Sequence, residues 1–384
     1  MSTYKKLTDK YEVNVYPKRD VVIVKGSGAK VWDENGKEYL DCTVGIGVAT
    51  IGHCNPKVSE AIAEQSKTLI TNPGIFYNDK RALMLEKLIS ISPKSLTKAF
   101  ITNSGTEAVE AAIKFARITT GKTDFISAMR GFHGRTMGAL SATHKEEYRT
   151  SFEPLVPGFT FVAFNKIDKL KEAITEKTAG IILEVVQGEG GINIGDKEYF
   201  DEVRKICDEN KIILIIDEIQ SGFCRTGKMF ACEHFDIQPD IMTVAKAIAG
   251  GFPVGAAICS DKIDIPTGKH GSTFGGNPLG AAASIAAIDF MLENNLAKQA
   301  EEKGNYFVSK FDVDKLSKVR GIRNLGLMIG IELKEKVQPY LVELMEKGIL
   351  AMPAGKTILR LLPPAVISYE DLDKVAEVLN DMLK

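Results

Sequence analysis

Residues 212–223 read IILIIDEIQSGF, and the fold turns on them. Five apolar residues run into an acid pair, then into a polar turn with Ser221 and Gly222. A short run with no polar side fits a strand buried on both faces, the kind found in parallel sheets covered by helices. This strand ends on Asp217, and a buried carboxylate at a strand tip needs a positive partner.

Similar runs recur on both sides of it. KAFIT (98–102), FISAM (125–129), FTFVAF (159–164), IILEVV (181–186) and IMTVA (241–245) alternate with helical segments such as TEAVEAAIKFARIT (106–119) and EYFDEVRKICDEN (198–210). That alternation predicts an α/β fold with a mostly parallel sheet covered on both sides. PKVSEAIAEQSKTL (56–69) and DKRALMLEKLISI (79–91) carry the three-and-four spacing of amphipathic helices, and an Ala-rich helix follows Pro278. Asn35-Gly36, between two alternating segments, predicts a hairpin with a two-residue turn. From about Val319 the chain reads as a second α+β unit. The expected division is a large domain over residues 50–280 and a smaller one built from 1–49 and 281–384.

Bulk properties narrow the function. The 384 residues are 44% hydrophobic and 26% charged, with a net charge of -1, so no strong field for nucleic acid or an anionic membrane is implied. No apolar run approaches the ~20 residues of a membrane span. The polar N-terminus lacks a signal-peptide core. Six cysteines show neither metal-site nor disulfide-framework spacing, which predicts no metal and a reducing, cytoplasmic setting. The glycines of GIGVAT lack the third glycine of a dinucleotide fingerprint, and no GxxxxGK[ST] is present.

Ligands in open parallel sheets bind beyond the carboxyl ends of the strands. There the sequence places Asn103-Ser104-Gly105-Thr106 opening a helix, RGFHGRT (130–136), Glu184 with Gln187–Gly191 beyond it, Asp217, and Lys246. The small residues at the helix start suit an anion such as phosphate, and equally an ordinary N-cap. Lys246 sits between apolar residues and the Gly-rich AIAGGFPVGAA, so its amine is desolvated and available for a Schiff base. Asp217 is then either its ion-pair partner or something more. Taken together, a phosphate cradle, a desolvated lysine, an aromatic and a buried carboxylate match the needs of pyridoxal 5'-phosphate. That cofactor's ring nitrogen must stay protonated, and an aspartate holds the proton.

At these residues the chain resembles the class III (subgroup II) aminotransferases of the fold-type I pyridoxal-phosphate enzymes. The motifs NSGTEAVEAAIKFAR, FHGRT, VVQGEGG, DEIQSGFCRTGKMFA, PDIMTVAKAIAGGFPVGA and GSTFGGNPLG follow one another in the family's order, over nearly the whole chain. The resemblance implies a seven-stranded sheet in the large domain. It implies Lys246, Asp217 and Glu184 as catalytic groups, with Lys246 moving the proton between the substrate and the cofactor. Ser104, Gly105 and Thr106 would bind the phosphate, Phe132 and Ile219 would cover the two ring faces, and Gln220 would lie near the phenolic oxygen. Thr273 would reach the phosphate of a neighbouring subunit, giving a homodimer with composite sites. Arg135, Arg360, Glu189 and Ser272 would meet substrate, with Glu189 pairing with Arg360 and swinging away for glutamate. Val185 stands where the family often has proline.

Within the family the acetylornithine branch is the nearest in style, through NSGTEA, FHGRT and ILRLLPPAVIS (358–368). TVGIGVATIGH (43–53) has small residues where the ornithine branch usually carries a tyrosine that reads a free α-amino group. The implied reaction moves the δ-amino group of N-acetylornithine to 2-oxoglutarate, giving N-acetylglutamate 5-semialdehyde and glutamate in arginine biosynthesis. Alternatives are other ω-amines: succinyl-ornithine, succinyl-diaminopimelate, 4-aminobutyrate, or an amine presented on a small acidic carrier protein in lysine or arginine biosynthesis. The carrier version predicts a basic rim around the pocket. An aminomutase or racemase on the same fold would use the same lysine and aspartate, but Arg135 and Arg360, with Glu189 as a gate, argue for transfer. A non-catalytic relic is a weaker alternative because Lys246, Asp217 and both arginines are present.

Overall fold

Seven strands carry the centre of the molecule: β1 Leu96–Thr102, β2 Asp124–Ala128, β3 Phe159–Val162, β4 Thr178–Leu183, β5 Ile213–Asp217, β6 Ile241–Val244 and β7 Gly255–Ser260. The computed structural model describes residues 2–384. The strands hydrogen-bond in the order β1-β7-β6-β5-β4-β2-β3. All run parallel except β7, which is antiparallel to both its neighbours.

The apolar run at 212–216 explains the layering. Successive side chains of a strand point to opposite faces. Ile213 and Ile215 enter one core cluster with Val109, Ala112 and Phe115 of the helix Gly105–Thr120. Leu214 and Ile216 enter another with Phe200 and Val203 of the helix Lys197–Asn210. Both faces of β5 are dry because both are covered.

One local expectation is corrected, and one strand carries no local signal. The Gly-rich stretch after Lys246 runs into β7, buried along its whole length. Its Gly and Ala residues carry no strand signal, yet Gly is needed: a Cβ at Gly255 would sit 2.5 Å from the Ser104 carbonyl oxygen. The hairpin at Asn35-Gly36 has a three-residue loop, Glu34-Asn35-Gly36, closed by Asp33 N–H to the Lys37 carbonyl at 3.0 Å. Gly36 adopts φ 84°, the left-handed residue that such loops require.

Both ends of the chain share a sheet. Strands Ile23–Ser27, Lys30–Asp33 and Glu38–Asp41 are extended by Ile349–Leu350, parallel to the third. A second C-terminal sheet joins Val319–Leu325, Met328–Leu333, Ile358–Leu361 and Met352–Ala354. Its seat on the centre is made of glycines. Gly304, on the helix Leu296–Val308, lies against the Gly326 backbone, and Gly326 lies against the backbone of Thr226 and Gly227 beyond β5. Buried Arg225 adds to this seat, donating to the carbonyls of Leu327 and Pro363 and to Thr50 Oγ1. Through it, the strand that carries Arg360 is fixed relative to Asp217.

A methyl group at Gly304 would collide with backbone, which cannot rotate away. Gly304→Ala should therefore lower stability by about 2 kcal/mol, within the usual range for overpacking. Denaturant unfolding checks this, and an unchanged midpoint would contradict the close seat.

Candidate active site

Five strand ends deliver polar groups to one cavity of about 450 Å³. β1 leads to Asn103–Thr106, β2 to Phe132, His133 and Arg135, β4 to Glu184 and Glu189, β5 to Asp217, Ile219 and Gln220, and β6 to Lys246. All of these side chains line the cavity, together with apolar Val48 and Val254.

At the start of the helix Gly105–Thr120, capping and an anion cradle coexist. Ser104 Oγ accepts from Glu107 N–H at 3.4 Å, and Glu107 Oε2 accepts from Asn103 N–H at 2.7 Å. The N–H groups of Gly105 and Thr106 remain in the first turn, where a helix has no carbonyl to give them. Gly105 lies flush against Ile219, whose Cδ1 would be 2.8 Å from an added Cβ. Thr106 Oγ1 is 2.7 Å from Thr136 Oγ1, which donates to Glu110 Oε1 at 2.6 Å. Glu110 also accepts from Gly138 and Ala139 N–H, so one carboxylate orders the far wall of the cradle.

Lys246 follows β6 directly, with φ at +47°, on a short 3-10 turn whose other residues are buried and apolar. Burial draws its amine from 10.5 down to about 8; Glu189 works against that shift and Arg360 adds to it. Asp217 and Thr243 are register partners, so Asp217 and Lys246 stand on neighbouring strand tips. They line the cavity without pairing. Asp217 Oδ2 instead lies 2.7 Å from His133 Nδ1, and Oδ1 accepts from Ile219 N–H at 3.0 Å.

His133 is the main residue that the sequence did not single out, although it stands inside FHGRT. It is 2% exposed, and among the described residues its Nε2 has no hydrogen-bond partner. Burial disfavours its charged form, but the hydrogen bond and charge of Asp217, with Glu184 behind, outweigh that and raise its pKa. Burial likewise pushes the Glu184 carboxyl up to about 7, with His133 pulling it back. Glu184 accepts from Phe132 N–H at 3.0 Å and Gly188 N–H at 3.2 Å, joining the loops after β2 and β4.

Arg360 enters from the C-terminal sheet and is 1% exposed. Its Nη1 lies 2.7 Å from Glu189 Oε1 and donates to Gln220 Oε1 at 3.1 Å. Burial pushes the Glu189 carboxyl up, but Arg360, with Lys246 and Gln220 adding, holds it below the ordinary value, so the acid stays ionised. Arg135 is exposed, and its guanidinium carbon lies 3.5 Å above the ring centroid of Tyr148, another residue not foreseen. Ser272 and Thr273 fall outside the lining of this cavity. Ser272 Oγ accepts from Asn103 Nδ2 at 3.3 Å, and Thr273 is exposed. Among the described residues no group of His, Cys, Asp or Glu is arranged to hold a metal, and no helix is long and apolar enough to cross a membrane.

Known proteins are similar to this chain in sequence and in fold. The family model for class-III aminotransferases matches residues 11–383. The chain is 50% identical over 380 residues to the [LysW]-aminoadipate semialdehyde transaminase of Deinococcus radiodurans, covering 97% of this chain and 88% of that protein. It is 44% identical over 386 residues to the acetylornithine aminotransferase of Methanocaldococcus jannaschii, covering 98% and 96%. The crystal structure of ornithine aminotransferase from Toxoplasma gondii superposes with a TM-score of 0.94 at 30% identity, over 99% of this chain and 94% of that one. Another crystal structure of the Toxoplasma enzyme contains pyridoxal phosphate at partial occupancy in its active site. The chain belongs to the class-III aminotransferases, enzymes that depend on pyridoxal 5'-phosphate.

Proposed function

We propose that this enzyme moves the terminal amine of an Nα-acylated diamino acid to 2-oxoglutarate, and that the donor is N-acetylornithine, yielding N-acetylglutamate 5-semialdehyde and glutamate. The Glu189–Arg360 pair inside the cavity carries the reading. A buried arginine suits a substrate carboxylate. A carboxylate already paired with it lets the same pocket admit an ω-amine whose inner end has no carboxylate to offer. Val48 and Val254 add apolar lining that offers nothing to a free α-amino group.

The residues fit the cofactor. The first-turn N–H groups of Gly105 and Thr106 would hold its phosphate with Ser104, while Phe132 and Ile219 would flank its ring and Gln220 would lie near its phenolic oxygen. The cofactor supplies an aldehyde that takes up the amine and a ring that draws off electrons when the adjacent carbon loses its proton. Asp217 would hold the proton on the ring nitrogen, and the His133 contact stops the carboxylate from turning away. Lys246 Nζ takes the proton from the amine-bearing carbon and returns it, which a neutral amine near pH 8 can do. Glu184 fixes the backbone beneath Phe132. Arg135 takes the outer carboxylate of either substrate, with Ser272 nearby. Arg360 takes the α-carboxylate of glutamate once Glu189 swings out. Exposed Thr273 would complete the phosphate site of a partner subunit, making a homodimer.

A second reading places the donor amine on a carrier protein. The Deinococcus relative is named for an aminoadipate semialdehyde bearing LysW, and a basic recess adjoins the cavity.

Two measurements check these roles. In single half-reactions followed by the cofactor's absorbance, Glu189→Ala should slow the N-acetylornithine half about tenfold or more, the worth of a charge-assisted hydrogen bond. The glutamate half should change little, while Arg360→Ala should abolish it; equal losses in both halves would refute the gate. Competitive acylation of the cofactor-free protein, read on the peptide carrying Lys246, should follow a midpoint near the depressed value of about 8. Reactivity should be low below that pH and rise through it as the proton leaves. A midpoint at the ordinary lysine value would show that the amine is not desolvated.

A further inference from the structure

Arg135 lines the catalytic cavity, yet among the described residues its guanidinium makes no ion pair and no side-chain hydrogen bond. An exposed arginine without a partner samples many rotamers, and a substrate that captures it must arrest that motion. What meets this guanidinium is aromatic. Its carbon lies 3.5 Å from the ring centroid of Tyr148 and 5.7 Å from that of Phe132. At the separation of touching carbon atoms, a guanidinium standing on edge would push a nitrogen into the ring, so the group lies flat on Tyr148. A flat guanidinium gives its face to the ring and keeps its N–H groups, which point outward in its plane, for another ligand.

Tyr148 is itself fixed. His144 N–H donates to the Gly131 carbonyl at 3.0 Å, and His133 N–H donates to Thr143 Oγ1 at 2.9 Å. The segment before Tyr148 is thereby tied to the loop that carries Phe132 and Arg135. The Tyr148 and Phe132 rings meet edge to face, with centroids 6.1 Å apart and planes at 85°, a favourable arrangement for an aromatic pair. Phe132 lines both the catalytic cavity and the recess beyond it, whereas Tyr148 lines only the recess. The tyrosine therefore supports Arg135 from outside the space that substrate fills. Lys145 Nζ lies 4.4 Å from the same ring, but its charge is answered by Glu147 at 2.8 Å.

We infer that Tyr148 is a positioning residue for substrate carboxylates: its ring holds the Arg135 guanidinium in one plane, with the donor edge free. This rests on the reading that Arg135 takes the outer carboxylate of either substrate, and it names the group that readies the arginine beforehand. A leucine at 148 would fill much of the same space without an electron-rich face, and Arg135 would swing free. The carboxylate stays bound throughout a half-reaction, so the loss should fall on substrate binding and spare the limiting rate.

The test follows half-reactions of the cofactor-loaded enzyme by absorbance. The substrates are N-acetylornithine, glutamate, and N-acetylputrescine, which is N-acetylornithine without its carboxylate. Tyr148→Leu should raise the half-saturating concentrations of the first two about fivefold, the worth of an exposed cation–π contact, with limiting rates within twofold. Tyr148→Phe, which keeps the ring face, should behave as wild type. N-acetylputrescine has no carboxylate to lose, so its rate should be the same in all three proteins. In an Arg135→Ala background, Tyr148→Leu should cause no further loss. Unchanged half-saturation in Tyr148→Leu, a loss that extends to N-acetylputrescine or persists in Tyr148→Phe, or one that adds to that of Arg135→Ala would overturn the positioning role alone. If Arg135→Ala leaves both carboxylate substrates unaffected, the reading of Arg135 fails and the role of Tyr148 falls with it.

Discussion

The site depends on keeping one lysine amine out of water. Lys246 is held at φ +47° on a turn of apolar residues at the end of a buried strand, and burial, with Arg360 adding, brings its pKa down to about 8, where a neutral amine is common. Such a placement is destabilising for the fold, because a cation there is poorly solvated. It is tolerated because the surrounding strand tips supply carboxylates that oppose the shift without clamping the amine: Glu189 is committed to Arg360, and Asp217 to His133. The two acids are thus anchored by other partners, and the space between Asp217 and Lys246 stays open. An ion pair between them would close the cavity and protonate the lysine for good.

The rest of the architecture holds that separation. Parallel strands bring Asp217 and Lys246 to the same edge, Lys246 three residues beyond Thr243, the register partner of Asp217, and dry layers on both faces fix the strands. Arg360 comes from a different sheet near the C-terminus, so its distance to Glu189 depends on the glycine seat at residues 304, 326 and 227. Remote backbone packing thereby sets a contact inside the catalytic cavity.

Much of this was legible in the sequence because the signals were either periodic or chemical. The apolar runs ending on Asp217, Glu184 and Lys246 gave the sheet and its ligand-binding edge, and the resemblance supplied a cofactor that accounts for them together. What escaped had no local signature. β7 starts on Gly255-Ala256-Ala257, the glycine needed for close approach to the loop at Ser104, and these residues carry no strand signal. A lone histidine beside a phenylalanine says nothing about its partner, and the His133–Asp217 contact spans 84 positions. The contact of Arg135 with the Tyr148 ring likewise has no signature in either segment.

Borohydride reduction of the enzyme as purified, followed by peptide mapping, bears most directly on the central claim. Reduction should fix the chromophore on Nζ of Lys246 and on no other lysine. A label on a different lysine, or a chromophore that washes away after reduction, would contradict the account of the desolvated amine and of everything arranged around it.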